Sequence, residues 1–305
     1  MNWTDNGSYI EIYPPKEFSF EVCLFFLGRS DQEVLYKIRE GYIIKLIKAD
    51  GALILCRIGF INDALRAEFP TESPSEYARR KIAEHIWEWF DLEQDIVEFY
   101  QLAEHDSILN PLAKRYYGLR IICYPDLFEG IVWAILGQQI NLTFAYTLKK
   151  RFVELYGESL TFEGETFWVF PEFEKIASLE PDDLRTLQFS LRKAEYIIGI
   201  AKAMTSGELT KEELIVLKDY EEVKSFLVTL RGIGAWSADY IMMRCLHYPQ
   251  AFPIADVGLH NALKVVLGLD RKPTIQEIDI IAQGWEGWQA YSVFYLWRSL
   301  YDKNS

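Results

Sequence analysis

The spacing of hydrophobic and polar positions changes once along the chain. Over the first seventy residues, apolar positions come in the runs YIEIY, FSFEVCLFFL, EVLYKIREGYIIKLIKA and GALILCRIGF, rich in Ile, Val, Tyr, Phe and Leu and often alternating with charge. Period-two alternation puts one face of a strand on a core and the other in water. GRSDQ, REG and ADG, between these runs, have turn composition. The pattern predicts an antiparallel sheet. At PTESPSEYARRKIAEHIWEWFDL the period lengthens. Ser73 or Ser75 can cap a helix in which Tyr77, Ile82, Ile86 and Phe90 recur at helical spacing. This helix is expected to pack across the sheet.

From about residue 92 onward almost everything reads as helix. Asp126 can cap LFEGIVWAILG and Gly137 can end it, and NLTFAYTLKKRFVELYG stops at Gly157. Pro181 and Asp182 open a further helix, followed by LRKAEYIIGIAKAMTSG and DYEEVKSFLVTL. A helix from about Ala235, then DVGLHNALKVVLG and GWQAYSVFYLWRSLY, complete the chain. No internal repeat, low-complexity segment or long linker interrupts it. The fold class expected is α+β. Residues 1–100 would form an antiparallel β-sheet plus helix, and residues 101–305 a helical core.

Composition narrows the class. Half of the 305 residues are apolar and 15% are aromatic, which supports a substantial core and excludes a disordered chain. The net charge of −13 argues against binding nucleic acid by a general basic surface. The charge is uneven, however. Residues 1–110 carry 20 acidic and 11 basic side chains, leaving 25 and 21 in the remainder. A local binding surface in the later part stays compatible with the total. Cys23, Cys56, Cys123 and Cys245 are scattered with no ligand spacing, which argues against a zinc site or an iron–sulfur cluster and fits a reducing compartment. MNWTDNGSYIEIY has neither a basic nor an apolar leader region, and GYIIKLIKADGALILCRIGFI is broken by Lys45, Lys48, Asp50 and Arg57. No signal peptide and no membrane span are expected, and the expected location is the cytoplasm.

Four features carry chemistry, each with a plain structural alternative. In LRGIGAWSADY, Gly232 and Gly234 form a short hairpin between two helices, within residues 220–246. The hairpin is either a tight packing turn or a surface where glycine amides and an open helix N-terminus bind phosphate without basic side chains. Asp256 in AFPIADVGLHNAL is either an N-cap or a carboxylate at the mouth of a cleft. Gln138, Gln139 and Asn141 form a polar knot that either caps helix ends or projects as a hydrogen-bonding finger. Trp236, Tyr240, Trp285, Trp288 and Trp297 are either core or, for those near the hairpin, faces for an electron-poor ring.

In their order and spacing these features resemble the helix-hairpin-helix DNA glycosylase superfamily. LRGIG-W-SA-Y is followed about twenty residues later by FPIAD. GLRIICYPDLFEGIVWAILGQQINLTFAYTLKKRFVELYG, LRKAEYIIGIAKAMTSGEL and GWEGWQAYSVFYLWRSLY resemble its 3-methyladenine DNA glycosylase II branch, a bacterial alkylation-repair group that also carries an extra antiparallel β domain. The resemblance implies that residues 101–305 form two lobes with the active-site cleft between them, and that Asp256 is the catalytic carboxylate. It assigns Gly232, Gly234, Ala235 and Ser237 to the phosphate-binding hairpin. Gln138, Gln139 and Ile140 would form the loop that wedges into the duplex, with Gln139 filling the vacated stack. Trp236, Tyr240 and Trp297 would line the base pocket.

Three positions depart from the family pattern. Gln139 is polar where a wedge is often aliphatic, Ala255 replaces an acid, and Gln289 replaces an Arg, removing one ion pair. Bifunctional members place Lys where this chain has Trp236, so the resemblance implies base removal with the strand left uncut. Its expected partner is double-stranded DNA with alkylated bases, such as 3-methyladenine and 7-methylguanine. No metal, organic cofactor or obligate protein partner is expected, and the chain is expected to act as a monomer. Alternatives are a non-catalytic DNA grip, a glycosylase for hypoxanthine, uracil or an oxidised purine, the last disfavoured by the missing Lys, and a protein-interaction scaffold.

Overall fold

The structure is a computed structural model describing residues 1–217 and 219–302. Strands β1 (Trp3–Asp5), β2 (Tyr9–Ile12), β3 (Tyr36–Arg39), β4 (Tyr42–Ala49), β5 (Ala52–Ile61) and β6 (Ala64–Glu68) form one antiparallel sheet in the order β1-β2-β6-β5-β4-β3. The pairs β3–β4, β4–β5 and β5–β6 are joined by two-residue turns: Glu40–Gly41, Asp50–Gly51 and Asn62–Asp63. All six turn residues have positive φ. Such turns match the strand twist and fix the register.

FSFEVCLFFL is not a strand. It forms α1 (Phe20–Leu27), between β2 and β3. Ser19 caps the helix by accepting from Val22 N, and Phe20, Cys23, Phe26 and Leu27 fall on one buried stripe. The helical period is there in the run, but its Phe and Val content resembles a strand. The short β1 and β6 carry too little apolar sequence to stand out.

Helix α2 (Glu76–Trp89) is capped by Ser75 and lies on the sheet, with Ile82 and Ile86 buried and Tyr77 exposed. Then come α3 (Val97–His105), α4 (Leu109–Arg115), α5 (Leu127–Gly137) and α6 (Leu142–Tyr156). The next segment departs from the mostly helical expectation: β7 (Ser159–Phe162) and β8 (Glu165–Trp168) form a hairpin. Its Phe167 packs with Leu46 and Leu55 on the face of the first sheet away from the main core. Lys37 and Arg39 both pair with Glu165, and Lys48 pairs with Glu158 at 2.6 Å. This hairpin was not read because Glu163 and Gly164, both at positive φ, turn only four residues on each side.

The remaining helices are α7 (Phe173–Ala177), α8 (Pro181–Arg185), α9 (Leu191–Thr205), α10 (Lys211–Leu217), α11 (Tyr220–Thr229), α12 (Ala235–Cys245), α13 (Val257–Val266), α14 (Ile275–Ala282) and α15 (Gln289–Ser299). One buried cluster runs from Ile10 in the sheet to Trp297 in the last helix. Arg120, with none of its surface exposed, joins the parts by donating to Glu17 O at 2.9 Å and Gln94 O at 2.6 Å. A charged donor satisfied by carbonyls can stay inside a core, whereas an unpaired one cannot. No described helix is long and apolar enough to cross a membrane.

Candidate active site

Asp256 takes the first of the two roles its sequence allowed, and its carboxylate is also reached by two indole N–H groups. It is the N-cap of α13, with Oδ1 accepting from Leu259 N at 2.9 Å. The same oxygen accepts from Trp297 Nε1 at 2.8 Å, and Oδ2 accepts from Trp236 Nε1 at 3.2 Å. Three elements therefore fix one carboxylate: its own helix, the first turn of α12 and the last turns of α15. Charged acceptors make the stronger hydrogen bonds, so this arrangement holds the group's direction firmly. Oδ2 has a single donor and keeps lone-pair capacity for another.

Gly258 makes the approach feasible. A methyl group there would lie 2.8 Å from Asp256 Oδ1 and 3.0 Å from Trp297 Nε1. Tyr240 lies between the two indoles, its ring 5.6 Å from Trp236 and 6.0 Å from Trp297. Trp236 is half-buried, while Tyr240 and Trp297 are only 6% and 9% exposed. The indole N–H edges orient Asp256, a task that the stacking expectation did not include. The buried Arg244 donates to Tyr240 Oη at 3.0 Å and to Ile122 O at 2.5 Å, fixing the phenol. Trp285 and Trp288 belong to the core.

The hairpin between α11 and α12 leads directly into the helix that carries Trp236. Gly232 has φ of +100°, and a Cβ there would meet the Tyr196 ring at 2.4 Å. Glycine is required at that position for both conformation and space. Gly234 is extended, and a Cβ there would meet nothing within 4 Å. It caps α12 without a side chain, so the first amides of that helix carry no side-chain partner. Ala235 is exposed, but Ser237 is 2% exposed and its hydroxyl accepts from Gln138 Nε2 at 3.0 Å. The Ser237 side chain therefore faces inward. Below the turn, Asp239 accepts from Tyr220 Oη at 2.6 Å and pairs with Lys224 at 2.9 Å.

The loop after α5 stands beside the hairpin. Gln138 directs its side chain to the hairpin, donating to Gly232 O at 2.9 Å as well as to Ser237. Gln139 is exposed with φ of +58°, Ile140 is half-buried, and Asn141 caps α6 through Phe144 N. Gln289 carries a buried Oε1 with no hydrogen-bond partner among the described residues.

A second polar cluster shares no residue with the Asp256 site. Asp91, Cys123 and His247 bring ligand-type atoms within 4.8 Å of one another. His247 Nδ1 lies 2.6 Å from Asp91 Oδ1, Nε2 lies 3.3 Å from Glu88 Oε1, and Tyr291 donates to Asp91 Oδ2. A spacing of 2.6 Å is that of a hydrogen bond, closer than two ligands of one tetrahedral ion usually sit. The cluster ties the end of α2 to the end of α12 and to α15.

The residues that sequence reasoning passed over are Gly258, Tyr196 and Arg244. Only Gly258, a glycine inside an apolar helical run just after Asp256, carried a visible signal.

Comparison with known proteins gives the chain a family. Residues 132–289 match the family described as HhH-GPD superfamily base excision DNA repair protein, and residues 12–131 match 8-oxoguanine DNA glycosylase, N-terminal domain. The chain is 43% identical to the DNA-3-methyladenine glycosylase of Bacillus subtilis (strain 168), over 99% of this chain and all of that protein. It is 31% identical to DNA-3-methyladenine glycosylase 2 of Escherichia coli (strain K12), over 63% of this chain and 64% of that one. A solved 3-methyladenine DNA-glycosylase from Archaeoglobus fulgidus superposes with a TM-score of 0.80 at 26% identity, covering 96% of this chain and 98% of the other. The chain belongs to the HhH-GPD superfamily of base excision DNA repair proteins.

Proposed function

We propose that this protein is a monofunctional DNA glycosylase that removes alkylated bases of the 3-methyladenine and 7-methylguanine class from duplex DNA. The observation that carries the reading is the Asp256 carboxylate, held by three N–H donors beside an aromatic wall and next to an open helix N-terminus. The full-length relative named for 3-methyladenine supports the substrate class.

The reaction follows from the parts. A base inside a duplex is out of reach, so the nucleotide must be flipped out, at a cost of a few kcal/mol that is least for damaged pairs. The loop at Gln138–Ile140 holds the gap open, and the amides from Gly234 onward take a backbone phosphate. An alkylated purine is positively charged and leaves readily. Aromatic faces favour it by about 0.5–2 kcal/mol per contact. As the glycosidic bond breaks, positive charge develops on the sugar, and the oriented carboxylate of Asp256 stabilises it. Oδ2, with its remaining lone pair, accepts a proton-bearing contact from the attacking water. Position 236 is Trp, so that site offers no amine for a Schiff base, and the strand stays intact.

The test is release of free 3-methyladenine and 7-methylguanine from methylated duplex, with strand integrity measured in the same reaction. Release on unbroken strands is expected. Strand cleavage by the purified protein would contradict the monofunctional reading, and no release would contradict the alkylated-base reading.

A further inference from the structure

Lys193 lies in the first turn of α9, where Ser190 caps the helix by accepting from its amide. A cation in the first turn opposes the helix dipole, so this lysine does not stabilise its own helix. Its ammonium instead reaches the end of α5 and donates to Leu136 O at 2.5 Å and to Gln138 O at 2.9 Å. Carbonyls at a helix C-terminus lack intrahelical donors and carry the negative end of the dipole, so an ammonium suits them. Lys193 is in no described salt bridge, and burial pulls its pKa down to about 8. A half-buried lysine with only carbonyls as partners is expensive to keep unless those carbonyls need it.

The loop it grips is held from a second side. Gln138 Nε2 donates to Gly232 O and Ser237 Oγ on the hairpin. Its other flank is fixed where Asn141 Oδ1 accepts from Phe144 N at 2.8 Å. Between these anchors Gln139 stands exposed in the left-handed region, a conformation that disfavours residues other than glycine. The residues on either side of Gln139 are tied, and among the described residues its own side chain makes no hydrogen bond.

We infer that Lys193 is a positioning residue for the duplex-wedging loop, setting its height through the carbonyls of Leu136 and Gln138 while the Gln138 side chain locks the loop to the phosphate-binding hairpin. The inference rests on the proposed function, because it gives the loop its task. The wedge then keeps a fixed distance from the phosphate grip, so force from the closing base stack passes into α9 and α12 and does not flatten the loop.

The test compares Lys193→Met and Lys193→Arg with wild type on two duplexes, one with the lesion fully paired and one with it opposite an abasic analogue, where less stack must be held open. Lys193→Met is expected to slow excision of the paired lesion by about tenfold more than that of the unpaired one, because small misplacements of positioning groups are costly. Lys193→Arg should recover most of that ratio. In parallel, 2-aminopurine fluorescence beside a non-cleavable abasic analogue reports wedging without requiring excision. Its increase at saturating protein should be smaller for Lys193→Met. Equal slowing on both duplexes, or an unchanged fluorescence increase, would overturn the role of Lys193. Absence of both signals in wild type would instead overturn the proposed function.

Discussion

At the scale of single residues, the site depends on how little room Asp256 has. Its two oxygens serve a helix amide and two indoles, and Gly258 leaves them the space. Gly258→Ala is therefore expected to push the carboxylate or Trp297 aside. Excision should fall by about 10- to 100-fold, since sub-ångström placement governs such rates. DNA affinity and the thermal midpoint should change little. Wild-type activity from this variant would show that the Asp256–Trp297 contact is not required. Much of this site was legible in the sequence, because Asp256, Trp236, Tyr240 and Trp297 lie in or near recognisable motifs. That the indoles act through their N–H edges was not legible, since sequence gives residue type and spacing but not orientation.

At the scale of elements, capping was read well and the turns at Glu40–Gly41 and Asp50–Gly51 were read, but those at Asn62–Asp63 and Glu163–Gly164 were not, and strand and helix were confused where apolar content was high. Ser75, Asp126 and Asn141 cap helices as polar residues ahead of apolar runs do. Helix α1 was misread because its Phe and Val content outweighed its helical stripe. The joints between elements were invisible because they join residues distant in sequence. The joint at His247 is one of these, and its charge can be tested. Burial opposes charge on the ring, but Cys123, Asp91 and Glu88 outweigh it and hold the imidazole pKa well above its ordinary value. The neighbouring Cys123 thiol is itself pushed up by burial, so the two carboxylates are the physically dependable partners. A raised folded-state pKa means that the stability from His247 is complete below the ordinary value of about 6.5 and fades as pH rises through the folded-state value. The gap in thermal midpoint between wild type and His247→Gln should be widest near about pH 6 and narrow toward alkaline pH. A gap of constant size would contradict an ionic clasp.

At the scale of the whole molecule, a net charge of −13 has to be reconciled with DNA as the partner. The hairpin offers a way, because it presents backbone amides where other proteins present Lys and Arg. Arg231, the exposed basic residue beside it, is already paired with Glu195 at 2.6 Å. Few counterions should be released on binding, so a plot of log K against log salt should have a shallow slope, of magnitude below about 4. A steep slope would reveal a basic surface that this account does not use. The sheet and helices share one core, joined by Arg120. Composition could show that such a core was affordable but not that it would be continuous.

The most direct measurement is single-turnover excision of an alkylated base by wild type and Asp256→Asn, with binding of each to DNA carrying an abasic analogue. The account predicts that the amide variant loses at least about 100-fold in excision, as expected when an oriented stabilising group is removed, while its affinity for the abasic DNA stays close to wild type. Excision by Asp256→Asn at near wild-type rate, with binding equally intact, would contradict the central role given to Asp256.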